Sequence, residues 1–251
     1  MIQLSERLLA MEESATIAMS RKSRELKAQG LDVISLSLGE PDFYTPQFIK
    51  DAAVEAMEQN YTMYTPVPGY DDLRESISEK FRRDNNLTYD KSQILVSTGA
   101  KQSIANVVLS LINPGDEVII PAPYWVSYLE IVKVAEGIPV VIAAGIDKDF
   151  KITGAELEAA ITPRTKAIIP VHLFGQSADM DGVMALARTH GLRVIEDGAQ
   201  SIGARYKNQA SGTIGDFGTF SFFPSKNLGG FGDGGMLITQ NDALADQAHL
   251  L

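Results

Sequence analysis

Short apolar strands that alternate with helical segments from residue 94 onward constrain the fold of this chain most strongly. Ile94-Leu95-Val96 is followed by a helical pattern over 101–112, a turn at 113–116 and a second apolar run, Val118-Ile119-Ile120. Strands this uniformly apolar are typical of parallel sheets that are covered on both faces. The alternation therefore predicts an α/β fold of three layers, α/β/α, with a mostly parallel sheet.

The same patterns predict the other elements. Helices are expected over 13–29, 46–57 with Thr45 as the cap and Pro46 at the first helical position, 71–84, 124–135, a short stretch behind a Thr153/Glu156 capping box, 181–190 and from 241. Strands are expected at 33–36, 138–142, 167–171, 192–195, 218–222 and 235–239. We expect one large domain over 1–251 with an N-terminal helical arm at about 1–30.

Composition excludes several classes of function. The formal net charge of −10 argues against nucleic-acid or anionic-membrane partners, which need a basic surface. Cysteine is absent, which excludes disulfides and thiolate metal sites and fits a reducing compartment. No apolar run is long enough to span a bilayer, and the N-terminus has no long apolar core. We expect a cytoplasmic protein without a metal site.

Two residues near strand ends point to the chemistry. Lys226 follows the aromatic run Phe220-Ser221-Phe222-Phe223, and Asp197 follows the apolar strand at 192–195. A lysine amine that can form a Schiff base, with an acid that keeps a pyridinium protonated, is what pyridoxal 5′-phosphate (PLP) chemistry requires. Alone, a lysine is more often a surface charge and Asp197 is as easily a loop cap, but the apolar setting of Lys226 favours a nucleophile.

Further candidate contacts lie at neighbouring strand ends. Ser97-Thr98-Gly99-Ala100-Lys101 opens a helix, where backbone N–H groups and the helix dipole favour a phosphate, although a plain turn is commoner. Ser221 is a candidate phosphate ligand and Gln200 a donor to the phenolic oxygen. Trp125 either stacks on the pyridine ring or packs into the core. His172 ends a strand, but structural histidines are common, and we leave it out of the set.

A glycine-rich stretch imitates a dinucleotide motif. Gly230-Phe231-Gly232-Asp233-Gly234-Gly235 fits G-x-G-x-x-G. That fingerprint must follow a strand and open a helix, whereas here it precedes the strand at 235–239. We interpret it as a flexible turn, which disfavours a dehydrogenase.

With these motifs together, the chain resembles fold-type I PLP-dependent aminotransferases over essentially its whole length. Residues 1 to about 145 are similar to class I, aspartate-type enzymes, in the stretches 37–43, 64–66, 113–118 and 123–128. Residues from about 150 are similar to DegT-type nucleotide-sugar aminotransferases, in the stretches 170–176, 196–201 and 215–226. The resemblance switches near 145–152.

The resemblance implies a role for each candidate. Lys226 corresponds to the imine lysine and Asp197 to the pyridinium partner, and both are catalytic. The further cofactor contacts are Gly99, Ala100, Lys101, Trp125, Gln200 and Ser221. Tyr64 matches a tyrosine that reaches the phosphate of the neighbouring subunit, which implies a homodimer. Gly39 matches a position near the substrate carboxylate.

Two departures from the resemblance qualify the function. His172-Leu173-Phe174-Gly175 occupies the place of the Asn-Pro-x-x-Pro-Thr-Gly stretch of class I enzymes. Both branches continue past Leu251 into a small domain, so we expect a fragment, a split or shortened gene product, or a recombination of two relatives.

The hypothesis is an aminotransferase that moves an amino group from an amino-acid donor to a keto acid or keto-sugar through Lys226. The alternative is a PLP-binding scaffold with little or no turnover.

Overall fold

A computed structural model describes residues 9, 15–36 and 43–250. The strands are β1 (Ile94–Ser97), β2 (Glu117–Ala122), β3 (Ile138–Ala143), β4 (Thr165–Ile168), β5 (Arg193–Asp197), β6 (Arg205–Tyr206), β7 (Gln209–Ala210), β8 (Phe217–Ser221) and β9 (Gly235–Ile238). The α-helices are α1 (Ala15–Ala28), α2 (Gln47–Glu58), α3 (Asp71–Asn85), α4 (Ala100–Leu111), α5 (Ser127–Val134), α6 (Gly154–Ala160), α7 (Met180–His190) and α8 (Asp242–Ala248).

Seven of these strands form one sheet in the order β1-β9-β8-β5-β4-β2-β3. Every pair from β8 through β3 is parallel, whereas β9 runs antiparallel to both of its neighbours, β1 and β8. The two remaining strands, β6 and β7, form a separate hairpin. The predicted mostly parallel sheet is confirmed.

Helices cover the sheet on both faces because successive strand residues point to opposite sides. In β2, Val118 and Ile120 pack in one apolar cluster with α4 and α5, while Ile119 between them packs in another with α6 and α7. A third cluster joins α3 to β1, β8 and β9. Burying each such isoleucine or valine stabilises the fold by about 1.5–3 kcal/mol, so the three-layer arrangement follows from the apolar strands.

Helix ends follow their sequence signals. The predicted capping box is present: Glu156 donates its N–H to Thr153 Oγ1 at 3.2 Å, and Thr153 donates its N–H to the Glu156 carboxylate at 2.9 Å. Gly191 follows α7 with a φ of 68°, a left-handed conformation that suits glycine. Among the described residues, no helix is both long and apolar enough to cross a membrane.

Several predicted boundaries are wrong. Residues 33–36 form no strand, because no described strand pairs with them. β4 ends at Ile168 rather than 171, since Pro170 has no N–H to donate to a ladder. The helix expected from 124 begins at Ser127 because residues before it form a turn, and α2 is capped by Pro46 rather than Thr45.

Candidate active site

Asp197 is the last residue of β5 and lies at the carboxyl end of the parallel sheet, where ligands collect in such folds. Only 6% of its surface is exposed. Its Oδ1 accepts a hydrogen bond from the Ala199 N–H at 2.8 Å, and its Oδ2 accepts one from the Tyr128 hydroxyl. Burial, and then the Asp197 charge, hold the pKa of the Tyr128 hydroxyl well above its usual value. Tyr128 therefore remains a donor to this acid.

The sheet register brings together the two segments predicted to bind a phosphate, the turn before α4 and the end of β8. Gly235 of β9 pairs with Ser97 on one side and with Ser221 on the other. A Cβ on Gly235 would lie 2.5 Å from the Gly99 carbonyl carbon and 2.7 Å from the Ala100 nitrogen. The turn that opens α4 therefore rests directly on β9, beside the end of β8.

The first turn of α4 offers backbone donors. Gly99 precedes the helix with a φ of 123°, a conformation that suits glycine. The N–H groups of Ala100 and Lys101 find no acceptor in the part of the chain that the structure describes. Ala100 is also buried. Unpaired N–H groups at a helix start form an anion-binding arrangement.

Trp125 lies immediately before α5 rather than in the core. It is 38% exposed, and its ring packs against the Tyr128 ring in a T-shaped arrangement at a centroid distance of 5.6 Å. The Lys101 Nζ lies 4.9 Å from the Trp125 ring centroid. The core-packing alternative for Trp125 is not supported, and the structure brings Lys101 against the indole.

Gln200 is held by the segment that replaces the class I asparagine stretch. The Phe174 N–H donates to Gln200 Oε1 at 3.3 Å, which leaves the amide nitrogen of Gln200 free to donate elsewhere. Phe174 and Gly175 have positive φ values of 54° and 83°. This turn at 173–175 therefore orients the Gln200 side chain.

His172 belongs to a buried structural network. Its Nδ1 accepts from the Ala178 N–H at 3.2 Å, so Nε2 carries the proton and donates to Glu196 at 2.7 Å. Glu196 also accepts from three backbone N–H groups, those of Gly212, Ile214 and Gly215 at 2.9, 2.6 and 2.5 Å. Sequence reasoning missed Glu196, although a charged residue inside an apolar strand signals a paired, buried group.

Lys226 is half-buried in a turn beyond β8, and its N–H donates to the Phe223 carbonyl at 2.8 Å. Within the described residues its ammonium makes no hydrogen bond or ion pair. Asp197 pairs with Thr219 across β5 and β8, so the acid and the lysine segment leave adjacent strands at the same edge. The structure does not place the Lys226 amine in contact with Asp197.

The structure does not bring Tyr64 into this cluster, whereas Ser221 lies beside it at the end of β8. The Tyr64 side chain is fully exposed and contacts none of the other described site residues. Gly39 lies outside the described residues. Ser221 Oγ accepts from the Phe223 N–H at 3.2 Å. The stretch at 230–235 leads into β9 and opens no helix, as expected of a turn.

Comparison with known proteins identifies the family. The sequence pattern of the DegT/DnrJ/EryC1/StrS aminotransferase family matches residues 85–251. This chain belongs to that family. The match begins before the predicted switch of resemblance, so the place of that switch near 145–152 stays a prediction. The identification of a fold-type I aminotransferase is confirmed.

Named relatives come from the aspartate aminotransferases. An aspartate aminotransferase of Bacillus sp. (strain YM-2) is 44% identical over 200 residues, 77% of this chain and 51% of that protein. An aspartate/prephenate aminotransferase of Nitrosomonas europaea is 52% identical over 168 residues, 67% of this chain and 42% of that protein. The chain spans about half the length of the curated relatives it matches.

Solved structures agree with the described fold. The aspartate aminotransferase of Thermus thermophilus with maleate superposes with a TM-score of 0.86 at 32% identity, covering 100% of this chain and 68% of that one. The aspartate aminotransferase of Rhizobium meliloti gives a TM-score of 0.84 at 30% identity, covering 99% and 66%. Both matches extend over essentially all of this chain.

The donor set fits PLP, the cofactor of fold-type I aminotransferases. The unpaired N–H groups of Ala100 and Lys101 suit its phosphate, and the buried carboxylate of Asp197 suits its ring nitrogen. The free amide nitrogen of Gln200 suits its phenolic oxygen, and the unpaired amine of Lys226 suits its aldehyde. Each functional group of PLP thus has a chemically matched partner near the carboxyl edge of the sheet.

Proposed function

We propose that this chain is the PLP-binding large domain, spanning 1–251 with its N-terminal arm at about 1–30, of an aminotransferase. The enzyme would move an amino group from an amino-acid donor to a keto acid or keto-sugar. The observation that carries this proposal is the buried Asp197 carboxylate at the same edge of the sheet as a helix start with unpaired N–H groups. Aspartate in the names of both relatives supports an amino-acid donor.

Each residue of the site has a separate task. When bound, PLP supplies an aldehyde that condenses with amines and a ring that withdraws electrons from the substrate carbon. The first turn of α4 and Ser221 bind the phosphate. Asp197 holds a proton at the ring nitrogen through a charge-assisted hydrogen bond. Lys226 binds the cofactor and then carries a proton to and from the reacting carbon, while Trp125 packs on the ring and Gln200 orients it.

The complete site would require a second copy of the chain. Tyr64 has a fully exposed side chain, which supports its proposed role at the phosphate of the neighbouring subunit in a homodimer. Gly39 is proposed to lie near the substrate carboxylate. The cytoplasmic location and the absence of nucleic-acid and membrane partners stay predictions.

A PLP titration followed by a half-reaction with glutamate tests the proposal. We expect PLP to bind with a change in its absorption spectrum and glutamate to convert the bound cofactor to its amine form. Asp197→Ala should slow the conversion by roughly 10²–10⁴-fold, whereas Asp246→Ala, an exposed acid on α8, should not. A protein that binds no PLP would contradict the proposal. A protein that binds PLP but never converts it to the amine form would be the PLP-binding scaffold of the alternative hypothesis.

A further inference from the structure

Tyr128 contacts two members of the proposed site at once. Its side chain is only 1% exposed on α5. The hydroxyl donates to Asp197 Oδ2, and the ring meets Trp125 edge-on at an interplanar angle of 81°. The phenol therefore lies between the acid proposed for the ring nitrogen and the aromatic ring proposed to stack on the cofactor.

Two hydrogen bonds fix the orientation of the Asp197 carboxylate. Oδ1 accepts the Ala199 N–H and Oδ2 accepts the Tyr128 hydroxyl, so each oxygen has one donor. A carboxylate oxygen can accept more than one hydrogen bond. The oriented carboxylate therefore keeps lone pairs for a facing pyridine nitrogen.

Other titratable side chains near Asp197 are directed elsewhere. Glu196 precedes it and points to the opposite face of the sheet, where the His172 ring binds it. Lys101 reaches the Trp125 ring, and within the described residues no hydrogen bond or ion pair joins the Lys226 amine to either acid. Within the described ranges, Tyr128 is thus the titratable side chain that hydrogen-bonds to Asp197.

We propose that Tyr128 is a positioning residue that orients the Asp197 carboxylate and also holds the plane of Trp125. The inference rests on the proposed function, because it takes Asp197 as the partner of the ring nitrogen. Tyr128 lies before the predicted switch at 145–152 and Asp197 after it. This hydrogen bond therefore joins the two parts of the chain that resemble different branches.

The ¹³C NMR resonance of the Asp197 carboxyl in the cofactor-free protein tests the inference without any activity measurement. In Tyr128→Phe, which removes only the hydroxyl, this resonance should move, because Oδ2 loses its hydrogen-bond donor. Tyr89→Phe is the matched control, since Tyr89 is 2% exposed and its hydroxyl accepts from Gln240 in a different cluster. That variant should leave the Asp197 carboxyl resonance unchanged.

PLP binding and tryptophan fluorescence complete the test. Tyr128→Phe should weaken PLP binding by roughly tenfold, which corresponds to the free energy of one hydrogen bond. It should leave the emission of Trp125, the sole tryptophan, near its wild-type wavelength because the ring is retained. An unchanged Asp197 carboxyl resonance in folded Tyr128→Phe would overturn the inference. If the resonance moves while wild-type protein binds no PLP, the hydroxyl contact is upheld and the proposed function fails separately.

Discussion

Glu196 and Asp197 are consecutive acids with opposite roles because a strand alternates its side chains. Glu196 points away from the site and accepts hydrogen bonds from His172 and from three backbone N–H groups of the segment before β8. Asp197 points toward the site and keeps lone pairs available. One buried acid therefore holds the scaffold, and its neighbour keeps lone pairs available for the role proposed above.

Removing the Glu196 carboxylate should destabilise the fold strongly. Glu196→Ala leaves four donors without an acceptor, two of them buried and two part-buried, and such losses cost about 3–5 kcal/mol. We expect that decrease in the free energy of unfolding by urea. Glu158→Ala, an exposed acid on α6, should change it by no more than about 0.5 kcal/mol. A decrease below about 1 kcal/mol for Glu196→Ala would show that these hydrogen bonds are dispensable.

At the residue scale, the sequence predicted which residues form the candidate site, and those roles stay predictions, but it did not predict the residues that support them. Asp197 was predictable because an acid at the end of an apolar strand is conspicuous. Its partner Tyr128 lies 69 residues away, and the Glu196–His172 pair is 24 residues apart. Such contacts depend on the order of strands in the sheet, which residue patterns do not fix.

At the scale of elements, β9 connects the two halves of the proposed phosphate site. Ser97 and Ser221 flank Gly235 in the sheet. The start of α4 packs against Gly235 so closely that a side chain there would meet backbone atoms. Backbone atoms cannot rotate away, so this glycine is required by the packing of the turn.

Gly235→Ala should therefore displace the helix start. We expect PLP affinity to fall by at least about tenfold and the fold to lose about 1–3 kcal/mol from overpacking. Gly232→Ala is the matched control, because a Cβ there meets nothing within 4 Å in the same glycine-rich segment. PLP titrations of the two variants provide the comparison. Equal affinities would mean that the turn at 97–101 does not bind the phosphate.

Periodicity predicted most elements and failed where pairing or turns decide the structure. Helices α3, α4 and α7 were predictable because their apolar spacing is regular. The apolar run at 33–36 is not a strand, since a strand also needs a partner. The hairpin of β6 and β7 was missed because its strands are two residues each, too short to show alternation.

At the scale of the whole molecule, the region before β1 exposes much apolar surface. Neither α1 nor α2 contains a buried residue. Large apolar side chains in this region are exposed, namely Ile34, Leu36, Phe43, Phe48, Met63, Tyr64 and Val67. Apolar surface of this extent is typical of an interaction site.

We therefore expect a dimer in solution. Light scattering should give twice the 27.2 kDa of one chain, and Tyr64→Ser with Phe48→Ser should weaken the association. A Lys151→Ser variant, at an exposed position beyond β3, serves as the control. A 27.2 kDa monomer that transaminates at an ordinary rate of about 1–1000 per second would contradict both the dimer and the role of Tyr64.

The sheet architecture was predictable at this scale because each apolar strand is long enough to be recognised alone. The position of the Lys226 amine was not predictable, since the turn after β8 has no periodic pattern. The resemblance supplied its role, and the structure adds that the lysine and Asp197 leave neighbouring strands at one edge. The covalent role of Lys226 is therefore the central claim.

Borohydride reduction of the PLP-loaded protein, followed by peptide mass spectrometry, tests that claim most directly. The cofactor should be fixed to the peptide that contains Lys226. Lys226→Ala should lose the adduct while keeping its far-UV circular dichroism spectrum. Attachment to Lys166 or Lys207 instead, the latter an exposed residue paired with Asp181, would contradict the assignment of Lys226.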